Sequence, residues 1–77
     1  MLEFYSMSND IRDRISRRVR QLRVKHGYTQ EKLAELAGIE YKHIQRVESK
    51  MPCDLKASTL EKLAKAFKIN VSELMKL

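Results

Sequence analysis

Residues 29–49, TQEKLAELAGIEYKHIQRVES, carry the pattern that decides the fold. Thr29 offers a hydroxyl to cap a helix, Glu31 sits in its first turn where the helix dipole favours an anion, and Leu33, Leu36 and Ala37 supply an apolar face at helical spacing. Gly38 stops that helix after only about two turns, and a second helical pattern opens near Glu40 with Ile44 and Val47 three residues apart. Seven positions agree in type. Leu33, Leu36, Ile39, Ile44 and Val47 seat both helices on one core, Ala34 is small enough to let them cross closely, and Gly38 tolerates the positive φ of a tight turn. A turn glycine alone would say little; the concordant set specifies two short helices packed at a steep angle.

On the N-terminal side, apolar residues from Asn9 to His26 fall at Ile11, Ile15, Val19 and Leu22, one stripe of an amphipathic helix. Ser8, Asn9 and Asp10 are competent N-caps, and Gly27 suits the left-handed residue that ends a helix. On the other side, Lys50–Asp54 form a loop, because Pro52 lacks a donor and pushes its predecessor out of the helical region. Ser58 with Glu61 resembles a capping box for a fourth helix whose inner face is Leu60, Leu63, Ala64 and Phe67. Asn70 with Glu73 repeats that signal for a short fifth helix carrying Val71, Leu74 and Met75. No segment alternates as a strand does, so the expected fold is all-α, a compact domain of five helices over residues 9–77, preceded by an N-terminal extension, residues 1–8. Leu2, Phe4, Tyr5 and Met7 make that extension apolar enough to dock on the domain or on a second subunit, although fraying is the default for a terminus.

A chain of 77 residues holds one domain at most and leaves no room for a separate effector-sensing domain. Its formal charge of +6 favours a polyanionic partner without separating DNA, RNA and anionic lipid. Residues 9–26 place seven cations (Arg12, Arg14, Arg17, Arg18, Arg20, Arg23 and Lys25) against Asp10 and Asp13, whereas residues 28–50 balance to zero. Attraction therefore belongs to the first helix, and any reading of bases must rest on pattern rather than charge. Cys53 is the only cysteine, and with His26 and His43 far apart it provides neither a disulfide nor metal-ligand spacing, so no metal or cofactor is expected. No nucleophile, base and orienting group stand together, which argues against an enzyme. MLEFYSMSND lacks the basic and apolar regions of a signal peptide, so the expected location is cytoplasmic, and helix 1 cannot serve a membrane because its apolar stripe is needed by the core.

From about Arg17 to Leu74 the chain resembles the Cro/C1-type (XRE) helix-turn-helix family, the DNA-binding domain of lambdoid phage repressors and of many small bacterial regulators. The resemblance is carried by RVRQLRVKHGYTQEKLAELAGI, by IQRVE at the end of the third helix and by TLEKLAKAFKINVSEL. It implies a lambda-repressor-like domain with helix 3 in the major groove of double-stranded DNA. In that family the residues at the start of helix 3 and one turn later point at base edges, which maps onto Tyr41, Lys42, Gln45 and Arg46. Lys42 and Arg46 suit guanine O6 and N7, Gln45 suits adenine, and Tyr41 a thymine methyl or a phosphate. The polar alternative for each is a solvated face. Gln30 opens helix 2 and is the firmest expected phosphate contact; His43, Ser49, Lys50 and Arg20 are the others, with ordinary packing the competing role for His43. Glu40 stands where the family carries a small capping hydroxyl, and a weaker cap is preferred over a contact to cytosine. Arg23 resembles the family arginine that pairs with the glutamate here at Glu48, a structural tie between helices 1 and 3. Lys50 departs from the family glycine at that place, so the loop KMPCDLKAS is expected to follow its own path.

The leading expectation is thus a DNA-binding transcriptional regulator, more consistent with a repressor, working as a homodimer through helix 5 and the C-terminus, where Leu74, Met75 and Leu77 offer apolar area. No small-molecule ligand is expected. The alternative is an interaction module of the same fold, an antitoxin or bridging factor that binds DNA weakly, because fold does not fix function. Arg14, Arg17 and Arg18 are expected to contribute only to the long-range field.

Overall fold

In a computed structural model of the protein, which describes residues 11–49 and 55–77, the order of elements is α1 (Ile11–Lys25), α2 (Gln30–Ala37), α3 (Tyr41–Val47), α4 (Ala57–Ala66) and α5 (Val71–Leu74). The described residues contain no strand, and none of their helices is long and apolar enough to cross a membrane. The extension, residues 1–8, the proposed caps Ser8, Asn9 and Asp10, and the loop residues Lys50, Met51, Pro52, Cys53 and Asp54 lie outside the described residues.

Three helices end in the same way. At the ends of α1, α2 and α4 a residue in the left-handed region turns the chain, and the next N–H reaches back five residues to a helical carbonyl. These bonds are Tyr28 N to Arg23 O, Ile39 N to Ala34 O and Ile69 N to Ala64 O, each 3.0 Å. Gly27 (φ 71°) and Gly38 (φ 69°) fill the turn in the first two; Lys68 (φ 59°) fills it in the third. These closures satisfy carbonyls that a helix end otherwise leaves open and aim each following helix back onto the core. At the N-termini, the Thr29 hydroxyl accepts from Lys32 N at 2.9 Å, and Asn70 Oδ1 accepts from Glu73 N at 2.8 Å.

The core is a single cluster to which every helix contributes. Val19 of α1, Leu33 of α2, Ile44 and Val47 of α3, Leu63 of α4, Phe67 just after it and Leu74 of α5 are essentially inaccessible to solvent. Each such side chain contributes about 1.5–3 kcal/mol by leaving water. α2 packs against both α3 and α4, and α4 against α5. A ring cluster fastens the α1–α2 turn to α4: Tyr28 stacks on Phe67 with centroids 6.1 Å apart, and its hydroxyl donates to Ala66 O at 3.3 Å.

Five sequence expectations need correction. Leu36 is 44% exposed, because Leu33, Ala34 and Ala37 define the buried arc of α2 and Leu36 falls at its edge. Ile11, at the first position of α1, is likewise half exposed. Glu40 holds the N-cap position of α3, but its side chain makes no capping hydrogen bond. Ser58 lies inside α4, whose N-cap is Lys56 with no side-chain bond, so Ser58 and Glu61 form no capping box. Leu74 is fully buried in its own domain's core and provides no area for a second subunit.

The three similar helix ends separate backbone strain from packing. Space is open around a Cβ at Gly38, so Gly38→Ala is expected to cost about 1 kcal/mol through φ alone. Lys68→Gly should stabilise the domain by about 0.5–1 kcal/mol by relieving the same strain. Urea denaturation of both variants measures the two signs; equal signs would contradict the backbone origin.

Candidate nucleic-acid interface

α3 spans only two turns, yet its faces are sharply divided. Ile44 and Val47 point into the core, and Tyr41, Lys42, Gln45 and Arg46 are all exposed. At 3.6 residues per turn those four occupy an arc of about 140° centred opposite the buried pair. They form one surface carrying a phenol, an ammonium, an amide and a guanidinium, the donor and acceptor set able to address base edges. His43 sits at the border of that arc and is half-buried.

The end of α3 is fixed by Glu48, whose side chain is only 3% exposed. Burying a carboxylate is costly unless it is paired and hydrogen-bonded, and here three side chains converge on it. Arg23 Nε donates to Oε2 at 2.7 Å, Gln30 Nε2 donates to Oε1 at 3.1 Å, and Arg20 Nε lies 4.0 Å from Oε1 while its Nη2 donates to the Glu48 carbonyl. Arg23 Nη1 also donates to Tyr28 O at 2.9 Å. One residue at the end of α3 thus gathers α1, the α1–α2 turn and the start of α2.

The expected phosphate contacts divide accordingly. Gln30 stands at the N-terminal end of α2, with its amide turned so that the nitrogen faces Glu48; a carboxylate accepts only, so this orientation is dictated by the partner. Arg20 is half exposed beside it. The Ser49 hydroxyl donates to Arg46 O at 2.8 Å, closing the last turn of α3. Gln30 and Arg20 are therefore brought together on Glu48, and Ser49 follows it at the end of α3. Lys50 lies outside the described residues.

Other tertiary bonds have no signal in the sequence. The Arg23–Glu48 pairing is carried by the family resemblance, but the engagement of Gln30 and Arg20 with the same glutamate spans 18 and 28 residues and follows no helical spacing. Arg18 was expected to add only to the general field. Instead, its Nη2 and Nε donate to Glu73 O at 2.9 Å and Leu74 O at 3.2 Å, capping the carbonyl end of α5. Arg14 and Arg17 remain exposed on the same flank of α1 as Arg18.

A helix-turn-helix family model, HTH_3, matches residues 19–74. Among solved structures, the chain is similar to the restriction-modification controller protein C.AhdI from Aeromonas hydrophila, with 33% identity over 78% of this chain and 89% of that one and a TM-score of 0.72. It is also similar to a hypothetical transcription factor, NHTF, from Neisseria, with 27% identity over 97% of this chain and 85% of that one and a TM-score of 0.79. No curated protein matches the chain.

Glu48 provides a direct test of what holds the interface in place. Glu48→Ala or Arg23→Ala alone should lower stability by about 3 kcal/mol, since each leaves a largely buried partner uncompensated. In a double-mutant cycle built from Arg23→Met, Glu48→Leu and their combination, followed by urea denaturation, the double variant should lose clearly less than the sum of the single losses. Additive losses would show that the pair does not act as a unit.

Proposed function

The chain belongs to the Cro/C1-type helix-turn-helix family, and on that premise we propose that it is a sequence-specific, double-stranded DNA-binding transcriptional regulator that reads an operator with α3 in the major groove. The supporting observation is the exposed face of α3. Tyr41, Lys42, Gln45 and Arg46 share it, and the helix beneath them is held by two fully buried apolar residues and by the network on Glu48. A rigid support is what discrimination between bases requires, because each good bidentate contact is worth about 1–3 kcal/mol only if its geometry is held.

In this reading Lys42 and Arg46 address guanine, Gln45 addresses adenine, and Tyr41 packs on a thymine methyl or bonds a phosphate. Gln30, Arg20, His43, Ser49 and Lys50 line the phosphate backbone on either side, fixing the register without carrying sequence information. The second N–H of the Gln30 amide remains for a phosphate while the first is held by Glu48. The controller protein C.AhdI and the transcription factor NHTF, to which the chain is similar, support a regulatory role. Repression follows from simple occupancy: a small protein seated on an operator obstructs whatever else must use that duplex.

Binding as a homodimer places two copies of α3 about 34 Å apart, one turn of duplex. With Leu74 withdrawn into the core, the apolar groups left at α5 and the C-terminus are the half-buried Val71 and Met75, Ile69 beside them, and Leu77, which is 40% exposed. Ile69 and Val71 line a shallow groove with Ser58, Glu61, Lys62 and Lys65, whose charges of both signs suit a self-complementary contact.

Selection from random duplexes at physiological salt should yield a two-fold-related site. Lys42→Ala and Gln45→Ala should each change which bases are tolerated at a subset of positions and weaken binding by about 1–3 kcal/mol there. Arg20→Ala should weaken binding to every sequence and reduce the salt dependence, and because Arg20 also bonds the Glu48 carbonyl it should lower stability as well. Recovery of no preferred sequence by the unmodified protein would overturn the reading.

A further inference from the structure

At Glu40, the residue that opens α3, the backbone is committed and the side chain is not. The Glu40 carbonyl accepts from His43 N at 2.9 Å and from Ile44 N at 3.1 Å, which fixes the residue to the first turn of the helix. Its carboxylate is exposed, makes no capping bond and takes no part in the ion pairs among the described residues. Thr29 and Asn70, by contrast, direct their side-chain oxygens to the helices they open.

The neighbours of this free carboxylate give it a chemical setting. Tyr41, Lys42, Gln45 and Arg46 are exposed on the helix that follows. Lys42 and Arg46 only donate, and Tyr41 and Gln45 both donate and accept, so Glu40 is the acceptor-only group among the exposed residues from 40 to 46. Donors are few in the major groove: cytosine offers N4 and adenine N6, whereas guanine and thymine present acceptors. Adenine carries the acceptor N7 beside its N6, which repels a carboxylate, while cytosine N4 has only a C–H beside it on its own base. Phosphates repel the group at every position. A carboxylate here therefore disfavours every duplex except one that brings a cytosine amino group within reach.

We propose that Glu40 is a specificity-determining residue that accepts a hydrogen bond from cytosine N4 and disfavours duplexes carrying another base there. The proposal rests on the reading of α3 as the helix in the major groove and adds to it a side chain that acts by exclusion as much as by attraction. A cation near the duplex raises affinity for all sequences as well as for its own base. Glu40 lowers affinity for all and recovers it at one base. That opposition between general and specific binding separates the role from a favourable interaction with the helix dipole, which would act on stability instead.

The test compares duplexes selected by the unmodified protein and by Glu40→Ala. The unmodified protein should prefer cytosine at a position of each half-site where Glu40→Ala tolerates other bases, with discrimination there reduced roughly tenfold. The variant should also bind unrelated duplexes more tightly and keep the urea midpoint of the unmodified protein. A second arm needs no folded variant to be informative: 2-pyrimidinone in place of that cytosine removes the amino group, and the unmodified protein should then bind roughly tenfold more weakly. Glu40→Ala should be indifferent to the same replacement. Identical base preferences in the two proteins, an equal change for all sequences, or adenine in the place of cytosine would overturn the proposal and leave the major-groove reading of α3 standing. Selection of no preferred sequence by the unmodified protein would overturn both.

Discussion

A buried carboxylate organises this domain. Glu48 has lost nearly all its water, and the cost is offset only because Arg23, Gln30 and Arg20 reach it from α1 and α2. An arrangement of this kind adds little net stability over apolar packing, but it tolerates no alternative position for its members, since any shift leaves a charge unpaired in a poorly solvated site. The result is orientational. α3 is too short to be rigid on its own account, because about two turns of helix lack the cooperativity to persist in isolation. Its direction is imposed by Ile44 and Val47 on the inside and by the ion network at its end. The exposed arc from Tyr41 to Arg46 inherits that direction.

The other flank of α1 is fixed by a second arginine in a different manner. Arg18 satisfies the carbonyls of Glu73 and Leu74 and holds α5, a single turn, against α1 while Leu74 closes the core. α1 is thus fastened on one flank to the end of α3 and on the other to α5. Its basic residues are therefore placed differently: Arg20 and Arg23 in the Glu48 network, Arg18 in a helix cap, Arg17 beside Asp13, and Arg14 exposed at the surface. The cations concentrated in the α1 segment are partitioned by the direction in which each side chain leaves the helix.

This partition bears on the proposed division of labour between general attraction and reading of bases. The segment from Tyr28 to Lys50 carries no net charge, so α3 would address a duplex through geometry and hydrogen bonding, with attraction supplied by groups on neighbouring elements. Arginines committed to internal bonds still contribute to the long-range field, but replacing one removes structure as well as charge. Arg18, Arg20 and Arg23 are thus poor probes of electrostatics, whereas Arg14 is a clean one.

By itself, the sequence was sufficient for the number and order of helices, the turn at Gly38, the caps at Thr29 and Asn70, and most of the core, because these depend on residue type at short spacing. Family resemblance added the Arg23–Glu48 pair and the four candidate base-reading residues. Tertiary structure alone decided which side chains remain available. Leu36 and Leu74 have the same residue type and similar helical context, yet one is exposed and the other is sealed, since burial depends on which neighbouring helix arrives on that side. Serine at position 58 carried a capping signal that failed because α4 begins one residue before it. Gln30 and Arg20 were legible as polar groups near a ligand, but their joint hold on Glu48 arises only when α1, α2 and α3 converge, a relation between residues 18 and 28 positions apart for which no local pattern exists.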